Sequence, residues 1–518
     1  MDRDFFRDLA RGPHAQPRKD AVRTRIIEMR KKNFSVYDMR DELERAGRDR
    51  LSVTAIQEVL RDEGFARLPR RLDDERPARS RPIADAIADV RAFSLAERSF
   101  STRLGGLFLL LPLVARLDLD GLVQDCGLPG TKMIPAAHAI RAALLLKLVG
   151  KGRRSHVMDL VLDEGVALAA GLNAIPKATF MWQYSTRLGR NAIVRLLGGW
   201  VARLRNEHLI DARSFNLDFH SISYFGDDPF VEKHYVPRRS QRRKAVLTFF
   251  AQDADGQVFC YANADLRKGD ESNEVLRFVE FWETRYGERP RHLVFDSKLT
   301  TYVNLGKLHD RGITFITLRR RSPQLIAQIA TLPRSAWRTV HLDVPHRKFK
   351  TPRVVDQRIT LAGCPAPLRQ LLIRDLGHDD PTILVTNDLT SSLKSVITRY
   401  AKRMLIENGL ADAIDFFHLD ALSSAVALNV DFDVLLTVFA SGIHRQFAKA
   451  LRGYERAHAR QLFRRFLDTT ARVVIADDAV TVTLPRRAHN PILLDAGLIG
   501  PSTQIPWWGG RKLKLTIA

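Results

Sequence analysis

The sequence predicts a multidomain α/β protein whose centre is a mixed β-sheet with helices on both faces. Three observations support this prediction. Residues 20–65 and 97–209 show helical patterns, strand-like apolar runs begin at Phe215, and strands and helices alternate from there on. The 518 residues are 45% hydrophobic and 27% charged, so the chain is long enough for several domains with a sizeable core.

The N-terminal residues 1–70 are predicted to form a helix-turn-helix region. Short helices are expected at Ala21 to Lys32, from a capping box at Ser35 to Gly47, and at Ser52 to Gly64. The third helix of such a module enters the major groove of DNA. The side chains expected to reach the bases are Thr54, Gln57 and Arg61. A plain helical bundle with a basic surface is the alternative.

Changes in composition divide the rest of the chain. Residues 71–96 are rich in Arg, Pro and Asp and are predicted to be a linker. A helical region follows at 97–209. The predicted later parts are a first part of the α/β core at 210–318, a β-rich insertion at 319–380, a second part with one long helix from Leu393 to Ala421 at 381–445, and a C-terminal region at 446–518.

The order of elements in the core predicts its fold. The expected elements are strands at Phe215 to Gly226, Ala245 to Gln252 and Val258 to Ala264, a helix at Ser272 to Tyr286, a buried strand at His292 to Asp296, a helix at Thr301 to Arg311 and a strand at Ile313 to Leu318. A hairpin turn is predicted at Asp255-Gly256. Three strands followed by helix, strand, helix and strand is the order of a ribonuclease H-like fold.

The chain is strongly basic. Lysine and arginine total 82 residues against 59 aspartate and glutamate residues, which gives a net charge of +23 at pH 7. A positive field of this size attracts polyanions, of which nucleic acid is the commonest. We therefore expect a nucleic-acid partner, with a solvated basic surface as the alternative.

The sequence predicts a cytoplasmic protein without a membrane partner. Its charged first residues lack the apolar core of a signal peptide. The longest apolar run, Gly106 to Ala115, is about half of the roughly 20 residues that span a bilayer. Cys126, Cys260 and Cys364 are far apart, so we expect neither a disulfide framework nor a structural zinc site.

Three acidic residues on separate elements are candidates for a metal-dependent active site. Asp218 lies mid-strand, Asp296 ends a buried strand, and Glu407 lies on the long helix. Two divalent ions about 4 Å apart commonly catalyse phosphodiester chemistry, and Mg²⁺ prefers carboxylate oxygens. Taken singly, Asp218 also fits a solvent-facing strand position and Asp296 a helix cap. Glu407 also fits an exposed ion pair with Arg403.

The long helix carries a polar stripe, because Tyr400, Arg403 and Glu407 share one face. Tyr400-Ala-Lys-Arg403-Met-Leu-Ile-Glu407 resembles the Y-x2-R-x3-E signature of bacterial insertion-sequence DDE transposases of the YREK superfamily. The other stretches that resemble motifs of this family are Leu217 to Gly226, Val294 to Lys298 and Leu384 to Asn387. The resemblance covers roughly residues 130–445. Seven positions after Glu407, where the family pattern has Lys, this chain has Ile414.

The resemblance implies a DNA transposase that cuts transposon ends and transfers the strand into target DNA. It implies that Asp218, Asp296 and Glu407 are catalytic and hold two Mg²⁺ ions, for which Mn²⁺ substitutes, and that Tyr400 and Arg403 contact DNA. The expected partners are double-stranded DNA and a second copy of the chain in a homodimer. A ribonuclease H-like nuclease without strand transfer and a catalytically inactive DNA-binding regulator remain as alternatives.

A cluster of basic residues is predicted to lie between two strands of the core. Its members are Arg238, Arg239, Arg242, Arg243 and Lys244. Such a cluster either follows the DNA backbone or forms a solvated loop.

Overall fold

The computed structural model describes residues 17–47, 51–65, 68, 87–151, 154–225, 231–236, 240–266, 269–297, 301–342, 349–377, 379–421 and 427–518. Contacts divide the chain into two units, Met1–Ala86 and Ile87–Ala518. Most of the predicted linker at 71–96 lies outside the described residues.

The first unit contains the three helices that the sequence predicts. They are α1 (Pro17–Lys31), α2 (Val36–Arg45) and α3 (Val53–Asp62). The capping box at Ser35 is confirmed, because the Ser35 side chain accepts a hydrogen bond from the Asp38 N–H and the Asp38 carboxylate accepts one from the Ser35 N–H. The helices share a small core that includes Ile26, Met39 and Ile56.

The second unit begins with a mainly helical part and continues as alternating strands and helices. The first elements are β1 (Arg98–Thr102), α4 (Leu111–Arg116), α5 (Leu119–Asp125), α6 (Ala136–Leu148), α7 (Glu164–Ala170), α8 (Ala178–Thr186) and α9 (Arg190–Asn206). The middle elements are β2 (Ser214–Ser223), β3 (Lys233–Val236), β4 (Gln241–Asp253), β5 (Phe259–Asn263), α10 (Glu274–Tyr286), β6 (His292–Phe295), α11 (Tyr302–Asp310), β7 (Thr314–Leu318) and α12 (Pro323–Ala330). The last elements are β8 (Arg338–Thr339), β9 (Arg353–Leu361), β10 (Cys364–Arg374), β11 (Thr382–Thr386), α13 (Leu393–Ala401), α14 (Met404–Asp415), α15 (Ala427–Ala450), α16 (Ala459–Leu462), β12 (Ala471–Ile475), β13 (Ala479–Leu484), α17 (Asn490–Asp495), β14 (Ser502–Gln504) and β15 (Lys512–Ile517).

A ten-stranded mixed sheet forms the centre of this unit. Its strand order is β3-β4-β2-β6-β7-β11-β10-β9-β8, and β5 pairs with β4. Strand β2 is antiparallel to β4 and parallel to β6, while β6 and β7 are parallel. The hairpin predicted at Asp255-Gly256 is confirmed, because β4 and β5 are antiparallel neighbours on either side of it.

Helices cover both faces of the sheet. Leu293 in β6 belongs to the large core that includes Phe278 of α10. The next residue, Val294, packs in a separate core with Val396 and Ile397 of α13. Successive residues of a strand point to opposite faces, so α10 and α13 lie on opposite sides. The predicted mixed α/β architecture is therefore confirmed.

The residues predicted as a β-rich insertion extend this sheet. Strand β10 pairs antiparallel with both β11 and β9. Leu371 and Leu372 of β10 are both fully buried although they face opposite sides. A strand buried on both faces belongs inside a sheet, so the strands β8, β9 and β10 of this segment continue the central layer.

The single helix predicted from Leu393 to Ala421 is wrong. The structure has two helices, α13 and α14, and the second ends at Asp415. At the junction the backbone hydrogen bonds join residues three apart, from the Arg403 N–H to the Tyr400 carbonyl and from the Leu405 N–H to the Lys402 carbonyl. The local tightening separates the helices without a proline or glycine, so no local sequence signal marks the break.

A second sheet of five strands lies in the order β1-β12-β13-β15-β14. Strand β1 comes from the early helical region and pairs with β12. The expected C-terminal hairpin is present as the antiparallel pair β12 and β13. The side chain of Trp508 is buried nearby and donates a hydrogen bond to the Leu168 carbonyl.

Within the described parts of the chain, no helix has both the length and the apolar character needed to cross a bilayer.

Candidate active site

Strand β2 places three polar side chains on one sheet face. Asn216, Asp218 and His220 occupy alternate positions, so they point the same way. Each meets a residue of the helical segment after β11. The contacts are a 3.0 Å hydrogen bond from Arg399 to Asn216 Oδ1, 3.3 Å between Arg403 Nη1 and Asp218 Oδ2, and 2.7 Å between His220 Nε2 and Asp420 Oδ1.

The neighbouring strand brings Asp296 beside Asp218. Strands β2 and β6 are parallel, with Asn216 opposite Val294. The pairing ends there, and Asp296 is the first residue after β6, so it follows the end of the strand that pairs with β2 just before Asp218. The carboxylate of Asp296 is close enough to Asp218 to raise the pKa of the latter.

Arg403 joins the second half of the core to the first. Its guanidinium lies 3.3 Å from Asp218 Oδ2 and 2.7 Å from Glu407 Oε1. The Arg403 side chain is 13% exposed and that of Glu407 is 47% exposed, so the cluster is enclosed on the sheet side and open at Glu407. Helix α14 packs on β2, which fixes this geometry. The structure thus brings together the three acids that the sequence singled out.

The carboxyl group of Asp218 is poised near neutral pH. Burial, together with the nearby Glu407 and Asp296 carboxylates, raises its pKa to about 6. The Arg403 guanidinium and the Phe219 N–H, which donates a hydrogen bond at 2.9 Å, act in the opposite direction. A buried carboxylate in this state is stabilised by additional positive charge.

Tyr400 lies against the same cluster. The Arg403 guanidinium carbon is 5.9 Å from the centre of its ring. Burial raises the pKa of Tyr400 to about 12, so its hydroxyl is a hydrogen-bond donor at physiological pH. The spacing of Tyr400, Arg403 and Glu407 keeps them together although the helix divides between α13 and α14.

Sequence reasoning missed two pairs that flank Asp218. Asn216 is fully buried, and its Nδ2 has no hydrogen-bond partner among the described residues. The Nη2 atom of Arg399 is also buried and also has no hydrogen-bond partner among the described residues. His220 and Asp420 form the pair on the other side. The alternation of Asn216, Asp218 and His220 with apolar residues was a readable signal of a polar stripe, but the helical partners depend on tertiary structure.

The predicted basic cluster has a different position from that expected. Arg242, Arg243 and Lys244 are paired residues of β4, opposite β3, so the prediction that they lie between strands is wrong. They pair with Tyr235, His234 and Lys233 of β3 and so belong to the sheet. The guanidinium carbon of Arg243 lies 4.8 Å from the centre of the Phe225 ring. Arg238 and Arg239 lie outside the described residues.

The predicted DNA-reading residues lie on one helix. Thr54, Gln57 and Arg61 are exposed on α3, while Ile56 and Val59 of that helix are buried. In α14, Ile414 packs against the apolar core, which accounts for an apolar residue where the family signature has Lys.

The donor atoms suit Mg²⁺ in type, although their arrangement here is that of ion pairs. Among the described residues, no group of three or more His, Cys, Asp or Glu side chains is arranged to hold a metal ion. The Arg403 guanidinium forms ion pairs with one carboxylate oxygen of Asp218 and one of Glu407. Three carboxylates supply hard oxygen ligands and negative charge, which is the donor chemistry that Mg²⁺ and Mn²⁺ require.

No protein-family model matches the chain, and no curated protein matches it in sequence.

Proposed function

We propose that this protein is a DNA transposase of the DDE type, which cuts DNA at transposon ends and joins the freed 3′-hydroxyl to target DNA. The observation that carries the proposal is the guanidinium of Arg403, which connects Asp218 to Glu407. Asp296, the first residue after β6, is near enough to Asp218 to raise the pKa of the Asp218 carboxyl group. Asp218 and Glu407, which are distant in sequence, are therefore joined through one side chain, and the chain order of the three acids is the one that the resemblance implies.

We also propose a ribonuclease H-like fold for the core. Three antiparallel strands in the order β5-β4-β2 are followed by the parallel strands β6 and β7. Asp218 lies within the central strand β2, Asp296 directly follows the adjacent strand β6, and Glu407 lies on the later helix α14. Asp296 directly follows the carboxyl end of β6, a position at which α/β proteins often build their sites, and this supports the proposal.

Asp218, Asp296 and Glu407 would hold two Mg²⁺ ions, or Mn²⁺ in their place. When bound, these ions supply an activated oxygen nucleophile and neutralise charge at phosphorus. Arg403 binds a phosphate oxygen next to the scissile bond, since its planar guanidinium fits phosphate as it fits carboxylate. The Tyr400 hydroxyl, which stays protonated, donates a hydrogen bond to the bound strand and so orients it. Asp420 fixes the ring orientation of His220 beside the acids.

Two surfaces support a DNA partner. The exposed residues of α3 form one, and a basic face on the five-stranded sheet forms the other. The five strands contain no Asp or Glu, while Arg472, Lys512 and Lys514 are exposed on them. Hydroxyl side chains of Ser and Thr accompany these cations, and both types of group bind phosphate oxygens.

The proposal predicts metal-dependent nicking that depends on all three acids. Purified protein with supercoiled plasmid in Mn²⁺ or Mg²⁺ should produce nicked circles, whereas Asp218→Asn, Asp296→Asn and Glu407→Gln should each lower the rate at least about 10²-fold. Asp415→Asn is the matched control, because Asp415 is an exposed acid on α14. Normal nicking by any of the three catalytic variants would contradict the proposal.

Strand transfer separates the transposase from the second candidate, a nuclease with the same core. Ile414 favours this second candidate, since the position that carries Lys in the family signature here packs into the core. The assay supplies fragments from the DNA flanking the gene, with free 3′-hydroxyl ends, and plasmid as target. Joined products indicate a transposase, and cleavage without joining indicates a nuclease. Binding without any nicking would indicate an inactive regulator.

A further inference from the structure

Strands β3 and β4 form a two-stranded ribbon that extends past the end of β2. The pairing of β2 with β4 ends at Ser223 and Ala245, whereas the residues of β4 before Ala245 pair with β3. The ribbon therefore lies beyond the carboxyl end of β2. Strand β6 is parallel to β2, and Asp296 directly follows β6, so the ribbon and Asp296 lie towards the same edge of the sheet.

One face of the ribbon continues the sheet face that carries Asp218. Directly opposed residues of antiparallel strands point to the same side, and Asp218 is opposite Phe250 of β4. Alternate residues of β4 share that side, so Arg242 and its partner Tyr235 on β3 lie on it as well. At about 3.4 Å per residue, Arg242 is roughly 27 Å along the strand from the position opposite Asp218.

This face combines an exposed aromatic ring with cations. The side chain of Tyr235 is 55% exposed. Arg242 lies directly across from it on β4, and Lys233 is two residues away on β3, so both cations flank the ring. Lys233 and Arg242 are exposed and make no ion pair with a described residue. Residues 233–236 and 241–244 include no Asp or Glu, so the ribbon itself supplies no carboxylate to neutralise them.

The opposite face of the ribbon has different contacts. His234 points to that side, and its Nε2 lies 3.7 Å from Glu232 Oε2. Arg243 is directly across from His234, and its guanidinium carbon lies 4.8 Å from the centre of the Phe225 ring. The charged groups on this side therefore already have partners within the protein, which leaves the Tyr235 face as the side that offers cations to a ligand.

An exposed ring between cations selects the kind of nucleic acid that binds. Lys and Arg contact the phosphates of single strands and duplexes alike. An aromatic ring stacks on a base where that base is unpaired, because the bases of a duplex are already stacked on their neighbours. The exposed ring of Tyr235 therefore favours a single strand over a duplex.

We propose that the Tyr235 face of this ribbon binds a single-stranded segment of DNA, in which an unpaired base stacks on Tyr235 and the flanking phosphates pair with Lys233 and Arg242. DNA is taken as the substrate from the proposed function, on which this proposal rests. Cutting one strand at the acids releases a strand end. A ribbon further along the same sheet face holds the released nucleotides away from the duplex.

The test is fluorescence anisotropy with the full chain in EDTA, where binding is measured without cleavage. The probes are a labelled oligothymidylate, an abasic strand of the same length and a random duplex. Tyr235→Leu should weaken binding of the oligothymidylate at least about five-fold, because it keeps an apolar side chain and removes the ring. Tyr235→Phe retains the ring and should bind as the wild type does. Phe225→Leu is the matched control, since it removes an exposed ring beside the other face.

The abasic strand and the duplex decide what the ring contacts. Tyr235→Leu should leave affinity for both probes unchanged. Equal weakening of the abasic strand would show that the ring does not stack on a base, and equal weakening of the duplex would show that the ribbon binds paired DNA. Either result overturns the proposal, as does wild-type affinity of Tyr235→Leu for the oligothymidylate. The melting temperature of each variant shows whether it is folded.

A second variant tests the two cations. Lys233→Gln with Arg242→Gln should reduce the slope of log affinity against log salt for the oligothymidylate by about 1.4, the value for two phosphate contacts on a single strand. Lys132→Gln with Lys307→Gln makes the same change in net charge at exposed lysines elsewhere and should keep the wild-type slope. Equal slopes for the two double variants overturn the assignment of the cations.

These binding results are independent of the nicking assay. A protein that nicks no plasmid can still prefer the single strand through Tyr235, and one that nicks and joins DNA can lack this preference. Failure of the ribbon proposal is therefore distinguishable from failure of the proposed function.

Discussion

At the scale of single residues, the candidate site holds more negative than positive charge. The carboxylates of Asp296 and Glu407 lie near that of Asp218. Among the described residues, the cation that pairs with Asp218 is Arg403, and Arg403 also pairs with Glu407. Proteins tolerate such clusters where function requires them, at a cost in stability. The raised pKa of Asp218 is the measurable sign of that cost.

Replacing Asp218 by Asn is therefore expected to stabilise the metal-free protein at pH 7.5. The pKa in the folded state, about 6, lies above the ordinary value of 3.8. The folded protein thus holds this proton more tightly than the unfolded chain, and the penalty is absent below about pH 4, grows towards pH 6 and is complete above it. The expected gain is on the order of 1–3 kcal/mol. Urea unfolding in EDTA from pH 4 to 8 measures the gain in unfolding free energy. An equal gain at pH 4 and at pH 8 would show that the charge of Asp218 is not its cause.

Sequence patterns were enough to select the three acids as candidates and to suggest the Arg403–Glu407 ion pair, but not the two pairs that flank Asp218. Each acid ends or interrupts an apolar element, which is a local property. The pairing of Asn216 with Arg399, and of His220 with Asp420, joins residues far apart in the chain. Such pairs depend on how α13 and α14 cross β2, and no local pattern encodes that crossing.

At the scale of elements, strand patterns were more informative than the connections between them. The alternation in β2, β4 and β5 predicted their hairpin and order. The pattern could not show that β1 pairs with β12, because the two strands come from opposite ends of the unit. It also could not show that β8, β9 and β10 continue the central sheet, since sequence spacing does not distinguish an inserted sheet from an extended one.

The basic face of the five-stranded sheet is expected to bind the DNA backbone. Lys512 and Lys514 make no ion pair with a described residue and lie on the same side of β15. The double variant Lys512→Glu with Lys514→Glu should lower affinity for random duplex DNA and reduce the salt dependence of binding by about two phosphate contacts. Fluorescence anisotropy at several salt concentrations measures both quantities.

The matched control is the double variant Lys132→Glu with Lys307→Glu, which reverses the charge of two exposed lysines elsewhere. It makes the same change in net charge away from the sheet. If both double variants lower the salt dependence equally, the effect comes from net charge, and the sheet face has no special role.

At the scale of the whole molecule, the chain has two compact units with separate cores, and the proposed function assigns DNA recognition to the first and phosphodiester chemistry to the second. The helices α1, α2 and α3 share one apolar cluster, and the acids belong to the second unit. The exposed stripe Thr54, Gln57 and Arg61 lies on a helix whose other side is buried. Substitution of these exposed residues should therefore leave the fold intact.

The triple variant Thr54→Ala, Gln57→Ala and Arg61→Ala is expected to lose recognition of the transposon ends while keeping metal-dependent nicking of plasmid. Each side chain that reads a base contributes about 1–3 kcal/mol of discrimination, so affinity for fragments that flank the gene should fall at least about ten-fold relative to random DNA. Arg45→Ala on α2 is the control. Gel-shift titration measures binding, and plasmid nicking is measured in parallel. A parallel loss of both properties would show that α3 supports the catalytic unit, and unchanged end binding would show that another surface reads the DNA.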